Sequence, residues 1–115
     1  VRYLGSVGPE KRAQVLGAAA ALLHPIAFPE PFGLSVVEAM ACGTPVIAFP
    51  LGSMPEVVDE DVTGYLVSDV TAAARAVERA VALDRSVIHQ TAARRFSAAR
   101  MVDDYLNLYG RLLAR

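Results

Sequence analysis

Residues 45–49, PVIAF, form a run with no polar side chain, flanked by Thr44 and Pro50. A strand that alternates apolar and polar residues can leave one face in water. A continuous apolar run cannot, so both faces of this strand have to be covered. In a chain of 115 residues that requirement points to one small domain with helices on both sides of a sheet.

The flanking sequence supplies the other layers. Val1 to Val7 reads as a short apolar strand ended by Gly8-Pro9. Pro9 and Glu10 suit a first helical turn, where a missing N–H and a negative charge are both tolerated. Val15, Leu16, Ala19, Ala20 and Leu23 then recur at helical spacing, and Ala21 to Ile26 contains a second strand. A helix is expected over about Leu34 to Ala41, with Gly43 as its stop. Pro55 to Val58 reads as a single helical turn and Gly64 to Val67 as a fourth strand. Ala72, Ala73, Ala76, Val77, Ala80 and Val81 make a helical stripe, with Arg75, Glu78 and Arg79 opposite. Ser86 to Arg95 is a weaker helix. Ser97 can cap a last helix with the stripe Met101, Tyr105, Leu108 and Leu112. Strands alternating with helices give an α/β, Rossmann-like fold of about four mostly parallel strands flanked by helices.

Composition excludes several function classes. A net charge of −1 gives no footprint for nucleic acid or an anionic membrane. Cys42 is the only cysteine, and with two distant histidines no zinc site is expected. Ser6, Ser35 and Ser53 have no His/Asp company for a hydrolase triad. The longest apolar run, Ala18 to Leu23, is far too short to span a bilayer. The start has no basic region followed by an apolar core, so a cytoplasmic location is expected. The apolar share of 54% is rich for a free-standing domain. With a start inside an apparent strand and no initiator Met, the chain reads as a fragment.

In open α/β sheets ligands sit beyond the carboxyl ends of the strands. Two loops with unusual chemistry fall there: FPEPFG after the second strand and FPLGSMPE after the third. Prolines on both sides stiffen Glu30, and a rigid carboxylate suits paired sugar hydroxyls; a solvated loop glutamate is the plain alternative. Gly33, Leu34 and Ser35 open a helix whose first N–H groups lack internal partners and favour phosphate. Glu38 has two readings: the second half of a capping box begun by Ser35, or a carboxylate matching a ribose cis-diol. Gly52 and Ser53 could lend backbone N–H groups to the same anion or form an ordinary turn. His24 is read as a strand-end residue with a satisfied hydrogen bond and His89 as a surface residue. Arg94, Arg95 and Arg100 are read as exposed charge.

EPFGLSVVEAMACGTPVIA, followed by GSMPEVV and DEDVTGYLV, resembles the C-terminal domain of retaining GT-B glycosyltransferases of family 4, the glycosyl transferases group 1. The family signature is Glu, seven residues, Glu, which falls here on Glu30 and Glu38. The resemblance runs from VRYLGSV to the GYLV strand and extends to the final helices. It implies a partial, nucleotide-sugar-binding C-terminal domain over residues 1–115. By this resemblance Glu30 is the catalytic-site carboxylate on the donor sugar's hydroxyls. The backbone around Phe32, Gly33, Leu34 and Ser35 meets sugar and diphosphate, Glu38 holds the ribose, and Gly52 and Ser53 line the pocket.

The implied reaction is hexosyl transfer with retention from a nucleotide-sugar donor, with no cofactor and no catalytic metal. The implied partners are an acceptor-binding N-terminal domain of a longer enzyme and an acceptor at a membrane surface. The family's basic Arg and Lys pair and two strands would precede Val1, and its last helix crosses to the N-terminal domain. Their absence leads to two expectations: self-association, as a homodimer or strand swap, and no transfer by this chain alone. Two alternatives stand beside this reading: a GT-B nucleotide-sugar epimerase or phosphorylase-like enzyme, and a stand-alone nucleotide-binding or assembly module.

Overall fold

The computed structural model describes the whole chain, Val1 to Arg115. In chain order it consists of α1 (Pro9–Ala18), β1 (Leu22–His24), α2 (Leu34–Ala41), β2 (Val46–Ala48), α3 (Met54–Val57), β3 (Gly64–Leu66), α4 (Val70–Val81), α5 (Arg85–Phe96) and α6 (Ala98–Leu113). The strands form one parallel sheet in the order β1-β2-β3. Leu23 lies beside Ile47, and Ile47 beside Tyr65.

The apolar run at 45–49 becomes the central strand, and its residues divide between the two faces. Val46 and Ala48 pack with Val36, Met40, Met54 and Ile88, beneath α2, α3 and α5. Ile47 points the other way, with Tyr65, Val67, Ala76 and Ala80 beneath α4. All three β2 side chains are at most 1% exposed, and burial of such a Val or Ile contributes about 1.5–3 kcal/mol. Ala76 and Ala80 are small enough to let α4 lie close on the sheet. The start of α4 is fixed by Asp69, whose carboxylate accepts from the Ala72 N–H at 2.7 Å. α4 does not cover β1: Leu23 is exposed, and a hollow of about 170 Å³ opens between it, Phe49, Val70 and Val77.

α1 has no fully buried residue, so packing alone holds it weakly. Its C-terminal carbonyls are instead tied down from α5. The Arg85 guanidinium donates to the Gly17 carbonyl at 2.8 Å, the Ala19 carbonyl at 2.9 Å and the Thr44 hydroxyl at 2.9 Å. Thr44 is fully buried and donates in turn to the Leu16 carbonyl. Carbonyls that a helix end leaves without partners thus find donors.

The α/β, Rossmann-like expectation holds, with one correction. The sheet has three strands, because Val1 to Val7 forms none. Tyr3 is 93% exposed and no neighbouring strand offers this segment a ladder of hydrogen bonds. An apolar sequence without a partner edge stays unpaired whatever its β propensity. Two helix details also differ: Ala19, Ala20 and Leu23 fall outside α1, and the turn at 54–57 begins one residue before Pro55. The remaining helices lie where the periodicity places them, and Ser97 caps α6 by accepting from the Arg100 N–H at 3.2 Å. The Met101, Tyr105, Leu108 and Leu112 stripe of α6 is exposed. No helix is long and apolar enough to cross a membrane.

Two stability outcomes are expected. Arg85→Ala removes three charge-assisted hydrogen bonds and should lower unfolding free energy by about 2–3 kcal/mol in urea titration, with faster amide exchange appearing first at the end of α1. Tyr65 is the second case. Burial first, then the hydrogen bond and charge of Asp61, hold its phenol above the ordinary tyrosine range, against the opposing Arg79 guanidinium 4.5 Å over the ring. The folded chain keeps this proton at a pH where the unfolded chain has lost it. The stabilisation is therefore present below the unfolded value and disappears as pH rises through the folded one. Between about pH 8 and about pH 11 the wild type should lose more stability than Tyr65→Phe.

Candidate functional site

β1 ends at His24 and β2 at Ala48, and the two loops that follow meet. Glu30 and Gly52 form a parallel bridge that continues the β1–β2 pairing beyond the strands. The Ser53 N–H donates to the Glu30 carbonyl at 2.8 Å, and the Ser53 hydroxyl donates to the Phe32 carbonyl at 2.7 Å. The approach is so close that a Cβ at residue 52 would lie 2.3 Å from both N and O of Glu30. The backbone there also has φ +64°, which favours glycine. Pro29 and Pro31 flank Glu30 on the opposite side of the bridge and restrict its backbone.

Gly33 is the N-cap of α2, at φ +94° and ψ +60°. A Cβ here would lie 2.6 Å from the Met54 methyl group, so the helix start sits directly against α3. The N–H groups of Val36 and Val37 turn to the Gly33 carbonyl. The amides of Leu34 and Ser35 then stand at the exposed end of the helix, where the peptide dipoles favour an anion.

The two glutamates have different surroundings. The Glu30 carboxylate lies 3.3 Å from His24 Nε2, with the side chains 18% and 13% exposed respectively. Glu38 sits one turn after Leu34 on the same face of α2 and pairs with Arg12 of α1 at 3.0 Å. The capping box is not formed, because the helix begins one residue ahead of Ser35 with Gly33 as N-cap, and no side chain caps it. The Glu38–Arg12 pair is more than a third exposed on each side, where such contacts contribute at most about 1 kcal/mol.

The structure thus joins Glu30, Phe32, Gly33, Leu34, Ser35, Gly52 and Ser53 at one sheet end, with Glu38 a turn further along. Several contacts were not legible from sequence. Phe32 meets Phe96 edge-on at 6.2 Å between ring centres, and the Arg95 guanidinium lies 4.7 Å over the Phe96 ring. Arg95 is a correction to the reading of exposed charge: it donates to the Val57 carbonyl at 3.1 Å and the Asp59 carboxylate at 2.9 Å, and also to the Glu56 carbonyl. It docks α5 on α3, because α3 is short and leaves its carbonyls open. Arg100 pairs with Asp104 at 3.3 Å. An open cleft of about 580 Å³ beside Phe32 is lined by both arginines, each of which faces a carboxylate. His89 is exposed, with Nδ1 2.6 Å from the Ala41 carbonyl. No group of three or more His, Cys, Asp or Glu side chains is arranged to hold a metal.

The family model for glycosyl transferases group 1 matches residues 1–82. The chain is 39% identical to a D-inositol 3-phosphate glycosyltransferase of Saccharomonospora viridis, across 98% of its own length and 28% of that relative's. It is 34% identical to the Mycobacteroides abscessus enzyme of the same name, across 99% of its own length and 27% of the relative's. The chain therefore spans less than a third of the curated relatives it matches. The crystal structure of Anabaena HepE in complex with UDP aligns at a TM-score of 0.71 and 26% identity, covering 85% of this chain and 29% of that one. The HepE complex with UDP-glucose aligns at 0.69.

Gly52→Ala tests whether the two loops need their close approach. The substitution should cost more than about 2 kcal/mol, from a strained left-handed residue and a backbone clash together. Urea unfolding reads the loss, and the Ser53 amide should lose its protection from exchange.

Proposed function

The chain belongs to the glycosyl transferases group 1 family, and from that premise we propose that it supplies the nucleotide-sugar half of a glycosyltransferase site. The observation that carries this reading is the Glu30–Gly52 bridge, which sets a carboxylate and the open amides of α2 side by side at the carboxyl end of the sheet. Glu30 accepts from hydroxyls of the donor sugar. The amides of Leu34 and Ser35 receive the diphosphate, with Phe32, Gly33, Gly52 and Ser53 forming the wall around it. Glu38 turns from Arg12 to the ribose diol, a move made easy by the weakness of that exposed pair.

The bond that breaks joins the sugar's anomeric carbon to a phosphate oxygen. Negative charge grows on the departing diphosphate, and pre-oriented amides stabilise it without a metal. No side chain here is assigned as a nucleophile for a double displacement. Retention through a same-face reaction, assisted by the leaving group, suits this set of groups. The acceptor, the opposing wall and the family's basic pair belong to the remainder of a longer, cytoplasmic enzyme whose acceptor lies at a membrane surface. Residues 1–115 alone bind donor but transfer nothing. The names of the relatives support a sugar transfer, and the HepE complexes support UDP and UDP-glucose as first probes.

The test is a titration of the chain with UDP, GDP, ADP and their glucose conjugates, read by amide chemical shifts. Shifts should concentrate at Gly33, Leu34, Ser35, Glu38 and Ser53, and persist in a chelator. Glu38→Ala should weaken nucleotide binding about 10- to 100-fold, the loss of a charged hydrogen-bonding group. Saturating nucleotide with no shift at these residues overturns the proposal. The open stripe of α6 further predicts self-association, and light scattering that finds a strict monomer at high concentration would refute it.

A further inference from the structure

His24 is the last residue of β1, at the sheet end where the two loops converge. Its Nε2 lies 3.3 Å from Glu30 Oε2, and both side chains are mostly buried. The contact is not needed to hold the loop. The backbone at Glu30 is already fixed by the bridge to Gly52, by the Ser53 N–H on its carbonyl, and by prolines on both sides. What remains free once that backbone is fixed is the set of side-chain torsions of Glu30. His24 constrains those. A ring nitrogen carrying hydrogen donates to one carboxylate oxygen and leaves the other for a second donor.

We propose that His24 is a positioning residue for the donor sugar: it holds Oε2 of Glu30 so that Oε1 is aimed at a sugar hydroxyl before the ligand arrives. This rests on the reading of Glu30 as the sugar-contacting carboxylate. It assigns His24 to selection of the sugar and leaves the nucleotide to α2 and Glu38. A carboxylate already held loses less side-chain freedom on binding, so the affinity gained from the sugar is larger. Without His24 the carboxylate samples several rotamers, and each encounter with the sugar has to order it.

The measurement is the affinity of the whole chain for UDP-glucose relative to UDP, by calorimetry, in wild type, His24→Ala and His24→Gln. In the wild type, UDP-glucose should bind more tightly than UDP. In His24→Ala this ratio should fall about three- to tenfold, as expected for one flexible side chain left to be ordered, with UDP affinity unchanged. Gln places an amide N–H near the position of Nε2 and should restore the ratio, which a role in packing alone would not predict. An unchanged ratio in His24→Ala, or a ratio in His24→Gln as low as in the alanine variant, overturns the inference while leaving nucleotide binding in place. Equal affinities for UDP and UDP-glucose in the wild type overturn it as well. Failure of every nucleotide to bind wild type overturns the proposed function, and this inference falls with it.

Discussion

The site depends on one backbone contact, the bridge between Glu30 and Gly52. Two short parallel strands end level with each other, at His24 and Ala48, and each runs on into a loop that would otherwise wander. The bridge extends their pairing across the gap, and the hydrogen bond from Ser53 fixes its register. Everything chemical is hung from it. It sets where Glu30 stands, it brings Ser53 against the carbonyl of Phe32, and it seats Met54 beneath Gly33 at the start of α2. Both glycines have left-handed backbone, φ +64° at 52 and +94° at 33, and at 52 the backbone of Glu30 also occupies the space of a Cβ.

Much of the fold was legible because its signals are local. The double-faced burial of β2 followed from a run without polar residues, and the helices from their apolar period or their caps. The α2 bounds agree with the expected Leu34 to Ala41, since Gly33 and Gly43 mark both ends. What failed was non-local. Val1 to Val7 has the composition of a strand but no partner, and composition cannot report a missing neighbour. Arg95 looked like surface charge because nothing in its own helix reveals that α3 presents open carbonyls beside it.

The site was legible to a different degree. The loops could be placed at one sheet edge from strand order alone, by the rule for parallel sheets. The choice between a capping box and a free carboxylate at Glu38 could not be made that way, because it turns on a two-residue shift of the helix start. Ser35 caps only if the helix begins after it; the left-handed backbone at Gly33 starts it earlier. The contact of His24 with Glu30 was also hidden. Each residue has an ordinary local reading, and only the turn of chain through 25–29 brings the two within reach.

The two carboxylates end up with complementary physical characters. Glu30 is mostly buried, stands on backbone braced by two prolines and a bridge, and has a ring nitrogen beside it. Glu38 is on a part-exposed helix face with a part-exposed arginine as its partner. A buried, pre-oriented carboxylate discriminates well between hydroxyl patterns, because a misplaced donor leaves it unsatisfied away from water. An exposed one exchanges partners at little cost, since water and salt already weaken its ion pair. The same sheet end therefore offers a rigid group where the identity of a sugar would be read and a yielding group where a common nucleotide would be gripped. Sequence spacing alone makes these two glutamates look equivalent; their surroundings make them different tools.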